Sequence, residues 1–311
     1  FKQKTAYEIM PSLVGSEMCI RDRTVRHMAI HHPYNPHCQI CRDAMARRRN
    51  KPDRRKQREK AAVRSGEVVD PSAGRANLSF GERCTGDYLL QRRADLPSEI
   101  HDGDGEEFSY GAKAGAVFLD LGTDWKTIEP VQYRSKEETL RAFQVFCGPH
   151  DHVRSVYTDN APELKSAFKA IGIRNPTSTP GVPQTNGIAE ATVKYCKQGI
   201  RCQLMQSGYH PSFWEHAART FAFLDNTSKR ERWPGDLRLS PYERRFRTEC
   251  DAPIYLFGQL VDFMLTPFPM NAPGPFEERV HPGLFAGYFS QPGGLWSVSY
   301  THLTLPTNRE V

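Results

Sequence analysis

The sequence predicts an α/β protein, a mixed sheet flanked by helices, and three observations carry that expectation. Two apolar runs, AVFLDL (Ala116–Leu121) and WKTIEPVQ (Trp125–Gln132), stand a few residues apart, as the strands of a hairpin do. A segment with helical spacing follows, and then a further strand-like run, VRSVYT (Val153–Thr158). Three more helical patterns come after it, and strands interleaved with helices mark an α/β layer arrangement.

The chain ends are set apart first. Glu17–Arg23 (EMCIRDR) can be encoded by GAG ATG TGT ATA AGA GAC AG, and the reverse complement of that string reads VSYTHL, which is Val298–Leu303. An antisense match of about six codons resembles translated sequencing adapter, so residues 1–23 and 298–311 are expected to be non-native tails. The remainder, 24–297, is long enough for one sizeable core with small appendages. Hydrophobic content is 38%, mean hydropathy is −0.62, and no run approaches the roughly 18 apolar residues of a membrane span.

Net charge is only +6, so its distribution matters more than its size. Between Arg42 and Arg64 lie eleven bases, Arg47, Arg48, Arg49, Arg54 and Arg55 among them, against three acids. Such a run reads as a solvated tether, or as a polyanion contact and nuclear-import signal. Residues 46–79 are accordingly expected to form a basic linker that touches DNA. Of eight cysteines only Cys38 and Cys41 are close-set; the scatter of the others, with no secretion signal, suggests reduced thiols inside a cell.

The elements are read in order. HMAIHHPYNPHCQIC (His27–Cys41) sets His27 and His31 one helical turn apart and follows them with CxxC, a donor set suited to tetrahedral zinc. His32 and His37 compete as ligands, and a plain His-rich turn is the alternative. Residues 24–45 are the expected zinc-binding segment. In the main region, 80–228, Ser135 and Glu138 make a capping box, Leu140, Phe143 and Phe146 recur at helical spacing, and Gly148-Pro149 stops the helix. Pro162 starts another helix that ends at Gly172. A long helix is expected from about Ile188 to Gln206, and another around Trp214, Ala217, Phe221 and Leu224. Residues 229–297 hold two strand-like runs, FGQLVDFML and GLFAGYF, and are expected to form a small β-rich appendage.

Three acids stand out. Asp159 ends a strand and precedes a helix, Asp87 follows a Gly in RCTGDYLL, and Glu190 opens the long helix after the polar loop GVPQTNG. Carboxylates from separate elements can hold two divalent ions, which together clamp the attacking and leaving oxygens of a phosphoryl displacement. A cap or surface charge is the bland reading of any one of them. At 100° per residue Glu190, Lys194, Lys197 and Arg201 share one stripe of the long helix, while Ala189, Val193, Cys196, Ile200 and Leu204 fill an adjacent apolar arc. The stripe is read as an acid at the metals followed by bases along DNA, with an i,i+4 salt bridge as the plain alternative.

VYTDNAPEL followed by STPGVPQTNGIAE resembles the catalytic core of retrotransposon integrases, most of all the copia type, within the retroviral integrase superfamily of ribonuclease H-like folds. SPYERRF, FGQLVDF and HPGLFAGY resemble the region that follows the core in copia-type polyproteins. The resemblance implies a ribonuclease H-like mixed sheet and Asp87, Asp159 and Glu190 as catalytic, metal-binding residues with Mg2+ or Mn2+. It also implies Zn2+ on His27, His31, Cys38 and Cys41, and a metal-dependent polynucleotidyl transferase that performs 3′-end processing and strand transfer. The implied partners are element and target DNA and further copies of the chain, with no membrane; the implied site of action is the nucleus, reached through a cytoplasmic particle. Asp120 in FLDL is the alternative to Asp87, disfavoured because it reads as mid-strand within an apolar run. A nuclease of the same fold and a decayed, non-catalytic nucleic-acid-binding remnant are the competing functions.

Overall fold

A computed structural model describes residues 24–45, 78–90, 112–178, 187–230, 237–263, 281–290 and 296–301. Arg47, Arg48, Arg49, Arg54 and Arg55, with most of the expected linker, most of the expected polar loop, all of the expected tail 1–23 and most of the expected tail 298–311, lie outside the described residues.

The chain opens with two short helices, α1 (Val25–Ile30) and α2 (Gln39–Ala44). Thr24 caps α1 by accepting the His27 N–H at 3.2 Å, which supplies one of the orphan donors of a helix start. His31 then takes a left-handed conformation, φ 50°, and breaks the helix after one and a half turns.

Four strands follow: β1 (Cys84–Leu90), β2 (Ala114–Asp120), β3 (Lys126–Val131) and β4 (Val156–Thr158). Their order is β3-β2-β1-β4. β2 and β3 form the expected antiparallel hairpin, β1 adds antiparallel to β2, and β4 adds parallel to β1 with Gly86 opposite Thr158. β4 is shorter than the run VRSVYT suggests because the residues before it are engaged elsewhere: the Arg154 N–H donates to Gly81 O and Ser155 bridges Arg174.

Helices cover both faces of this mixed sheet, which matches a ribonuclease H-like core. Alternate strand residues point to opposite faces. Tyr88, Ala116 and Phe118 meet Phe143 and Phe146 of α3 (Lys136–Cys147) and Leu164 and Phe168 of α4 (Pro162–Ala170). Leu89, Val117 and Ile128 meet Val193, Cys196 and Ile200 of α5 (Gly187–Ser207) and Ala217, Phe221 and Leu224 of α6 (Trp214–Thr227). Each of these fully buried large side chains contributes about 1.5–3 kcal/mol of transfer free energy. The ends of α3 follow local chemistry. Ser135 accepts the Glu138 N–H at 3.2 Å, and Gly148 at φ 71° ends the helix. The expected capping box is only half closed, since the Glu138 carboxylate accepts from Tyr133 N–H at 3.1 Å. Pro162 takes the first turn of α4, where a missing N–H costs nothing.

After the core comes α7 (Pro241–Phe246), in the stretch SPYERRF, and then an antiparallel sheet β5-β6-β7 built from Leu260–Phe263, His281–Ser290 and Trp296–Thr301. The helix was not anticipated, although its signal is in the sequence. Ser240 accepts Glu243 N–H at 3.1 Å and Glu243 accepts Ser240 N–H at 2.6 Å, a complete capping box. Phe285 and Tyr288 of β6 bury against α6, where Tyr288 stacks on Phe223 at 3.8 Å between ring centroids. β7 includes Val298–Thr301 from the expected tail, and it pairs with β6 through backbone groups that every residue but Pro possesses.

Candidate active site and metal centre

The β1–β4 register brings Asp87 and Asp159 side by side, since each follows one of the paired residues Gly86 and Thr158. Asp87 has the parity of Leu89 and so lies on the sheet face that α5 covers. Gly86 permits this local packing, because a Cβ there would run into the Phe118 ring. Asp159 accepts the Ala161 N–H at 3.2 Å, which fixes its side chain at the start of α4. Glu190 lies exposed in the first turn of α5.

Asp87, Glu190, Val193, Lys194, Lys197, Gln198 and Arg201 line one groove of about 430 Å³. The expected stripe of one acid and three bases therefore borders the same depression as Asp87. Burial raises the Asp87 carboxyl above its ordinary 3.8; the Tyr88 N–H, donating at 2.7 Å, opposes this, the charges of Asp159 and Glu190 add to it, and Lys197 offsets them. Asp87 thus feels the charges of both other acids. Among the described residues, the group of His, Cys, Asp or Glu donors close enough together to hold a metal ion is the His/Cys set, and the three acids are not part of it. An all-oxygen donor set of this kind suits Mg2+ or Mn2+.

Arg201 has a second engagement. Its Nη1 donates to Ala44 O at 2.6 Å, so it braces α2 while bordering the groove. A guanidinium carries five N–H donors, and one bond does not exhaust them.

Asp120 is occupied differently. It ends β2 rather than sitting mid-strand, is fully buried, and accepts from Gly81 N–H at 2.9 Å and from both the N–H and the hydroxyl of Thr123 at 2.7 Å. Those bonds tie the β2–β3 turn to the segment before β1.

His27, His31, Cys38 and Cys41 bring four donor atoms within 4.8 Å of one another. Cys41 Sγ lies 3.5 Å from His27 Nε2 and 3.6 Å from His31 Nδ1, and Cys38 Sγ lies 3.6 Å from His31 Nδ1. With Zn–S near 2.3 Å and Zn–N near 2.0–2.1 Å, tetrahedral angles require S···N separations of about 3.5–3.6 Å. The donor set fits a single such ion. His32 instead packs edge-on against Tyr195, at 5.2 Å between centroids, and the backbone N–H of His37 bonds Asn35; neither joins the group. Burial lowers the His31 pKa to about 4, so the ring is neutral and a lone pair is available. Burial pushes the Cys41 thiol up to about 11, a preference that a coordinated dication reverses by deprotonating the thiol outright.

One charged group had no signal in the sequence. Asp225 of α6 is fully buried and meets Lys126, the Tyr195 hydroxyl at 2.5 Å and Arg230 at 3.0 Å. Burial alone would raise its pKa, yet Arg230 and Lys126 hold it well below the usual carboxylate range. This cluster locks β3, α5 and α6 together.

In sequence the chain is similar to the retrovirus-related Pol polyprotein from transposon TNT 1-94 of Nicotiana tabacum, 28% identical over 105 residues. That match covers 30% of this chain and 8% of the relative, so the chain spans a small part of the polyprotein's length. Among solved structures it is similar to the HTLV-2 integrase catalytic core domain, determined in complex with magnesium in a trimeric form. Identity there is 15% and the TM-score 0.38, covering 54% of this chain and 98% of that one. No protein-family model matches the chain. Among the described residues no helix is long and apolar enough to cross a membrane.

Proposed function

We propose that this chain is the integrase part of a retrotransposon polyprotein, a metal-dependent polynucleotidyl transferase that inserts element DNA into target DNA. The observation that carries the reading is that Asp87 of β1 and Glu190 of the first turn of α5 line one groove continued by Lys194, Lys197 and Arg201, with Asp159 beyond the end of β4 next to the strand that bears Asp87. Oxygen ligands from these three acids hold Mg2+ or Mn2+, and two such ions, when bound, stabilise the attacking and leaving oxygens of an in-line displacement at phosphorus. Asp87 and Asp159 are held by the sheet, so their positions cost no rearrangement on loading. Glu190, in the first turn of α5, completes the set from a separate element. Lys194, Lys197 and Arg201 take the phosphates of the DNA and hold the scissile link in line. Water is the nucleophile in 3′-end processing and the freed 3′-hydroxyl in strand transfer.

The His27/His31/Cys38/Cys41 set holds one Zn2+ and organises residues 24–45, residues 46–79 form a basic DNA-contacting linker, 80–228 the catalytic core and 229–297 the β-rich C-terminal region. DNA and further copies of the chain are the proposed partners, and the nucleus the site of action. A nuclease that only hydrolyses needs the carboxylates and nothing more; the metal segment seated on α5 favours the transferase.

The test is strand transfer of a 3′-hydroxyl oligonucleotide duplex into plasmid DNA with magnesium. Glu190→Gln removes one metal ligand and keeps the shape, so turnover falls at least about 100-fold while DNA affinity and the circular dichroism spectrum stay as they were. Wild-type turnover in Glu190→Gln rejects the assignment.

A further inference from the structure

We infer that Gln206, near the C-terminal end of the helix that carries Glu190, is a positioning residue of the His/Cys metal centre, dictating which nitrogen of His31 meets the ion. The inference rests on the zinc reading above.

Gln206 Oε1 lies 2.6 Å from His31 Nε2, across 175 positions of sequence. Among the described residues it is the hydrogen-bond partner of that nitrogen. The other ring nitrogen, Nδ1, is the one 3.6 Å from both Cys38 Sγ and Cys41 Sγ. An amide oxygen can only accept, so the proton of the neutral imidazole must sit on Nε2. Nδ1 is then bare and aimed at the thiols, the state in which it can bind a metal. Histidine ligands commonly donate their second N–H in this way, and loss of the acceptor costs about 10–100-fold in metal affinity.

The ring has little freedom to find another acceptor. His31 is 1% exposed and follows α1 in a left-handed backbone conformation. The surrounding contacts also come from α5: Gln203 Nε2 donates to Ala29 O, and Arg201 Nη1 to Ala44 O. Both helices of the small segment are therefore braced by the long helix, and the metal centre is completed by a side chain outside its own segment. An isolated 24–45 fragment lacks this acceptor and binds zinc more weakly than the whole chain.

The experiment uses the full chain and zinc alone, titrated against a chromophoric chelator at pH 7, with the ring tautomer read from long-range 1H–15N correlations. Wild type takes up one equivalent, with the His31 proton on Nε2. Gln206→Leu keeps the stoichiometry and weakens affinity about 10–100-fold. Gln206→Glu restores affinity to the wild-type level or above, because a carboxylate is also a pure acceptor, whereas Gln206→Met, of similar length but with no oxygen to accept, stays weak; a role confined to packing predicts that Met restores affinity. If the wild-type chain binds no zinc, the metal reading itself falls. If wild type binds zinc but Gln206→Leu binds it equally tightly, or the His31 proton resides on Nδ1, the metal reading stands and the role of Gln206 is overturned.

Discussion

Asp87 on β1 stands level with Asp159 at the end of β4, each one residue beyond the paired Gly86 and Thr158. Carboxylates borne one residue beyond paired positions of neighbouring strands repel one another until a cation lies between them. The arrangement disfavours the metal-free state and favours the loaded one.

A pH prediction follows from that repulsion. Burial, Asp159 and Glu190 raise the Asp87 pKa above 3.8 in the folded chain, so the folded state holds this proton more tightly than the unfolded state. The contribution of Asp87 to stability is whole below its unfolded pKa and is lost as pH rises through the folded value. Asp87→Asn, which never ionises, therefore raises the melting temperature of the metal-free chain at pH 7, leaves it unchanged near pH 3.5, and abolishes magnesium-dependent turnover. Equal melting temperatures at pH 7 would reject the buried, repelled state of Asp87.

The metal centre predicts a linked loss. Cys38→Ser with Cys41→Ser removes two of four ligands, so zinc content drops from about one equivalent to none. Zinc then no longer shifts the melting temperature of the double variant. Full zinc content in that variant, measured by elemental analysis, would move the site elsewhere.

Lys197 lies exposed on the groove and opposes the charges around Asp87. Lys197→Ala is expected to weaken binding to all DNA sequences alike and to flatten the log–log salt dependence by about 0.9, the contribution of one neutralised phosphate. An unaltered slope places the phosphate path away from this stripe.

Gly199 sits where α5 crosses α6, and a Cβ built there collides with the Phe221 ring. Phe221 is fully buried and cannot swing aside. Gly199→Ala gains helix propensity but overpacks the crossing, for a net loss of about 1–3 kcal/mol in denaturant unfolding. A variant as stable as the wild type would show that the two helices can separate at no cost.

What local physics determines was already present in the sequence. Period-3.6 spacing marks the arc of Ala189, Val193, Cys196 and Ile200, all buried on α5, and puts Glu190, Lys194, Lys197 and Arg201 on an exposed stripe. Ser135, Gly148 and Pro162 mark helix ends because caps act over three or four residues. Only tertiary structure decided that α5 has a second buried face, where Gly199 and Cys202 pack and Gln203 and Gln206 bond α1 and the residue after it. Likewise, Asp120 is spent on Gly81 and Thr123 while Asp87 faces Glu190, and Asp225 gathers Lys126 and Arg230. Each of these draws on a distant segment that comes to lie opposite, and hydrophobic period and capping chemistry carry no information about a partner 39 to 175 residues away.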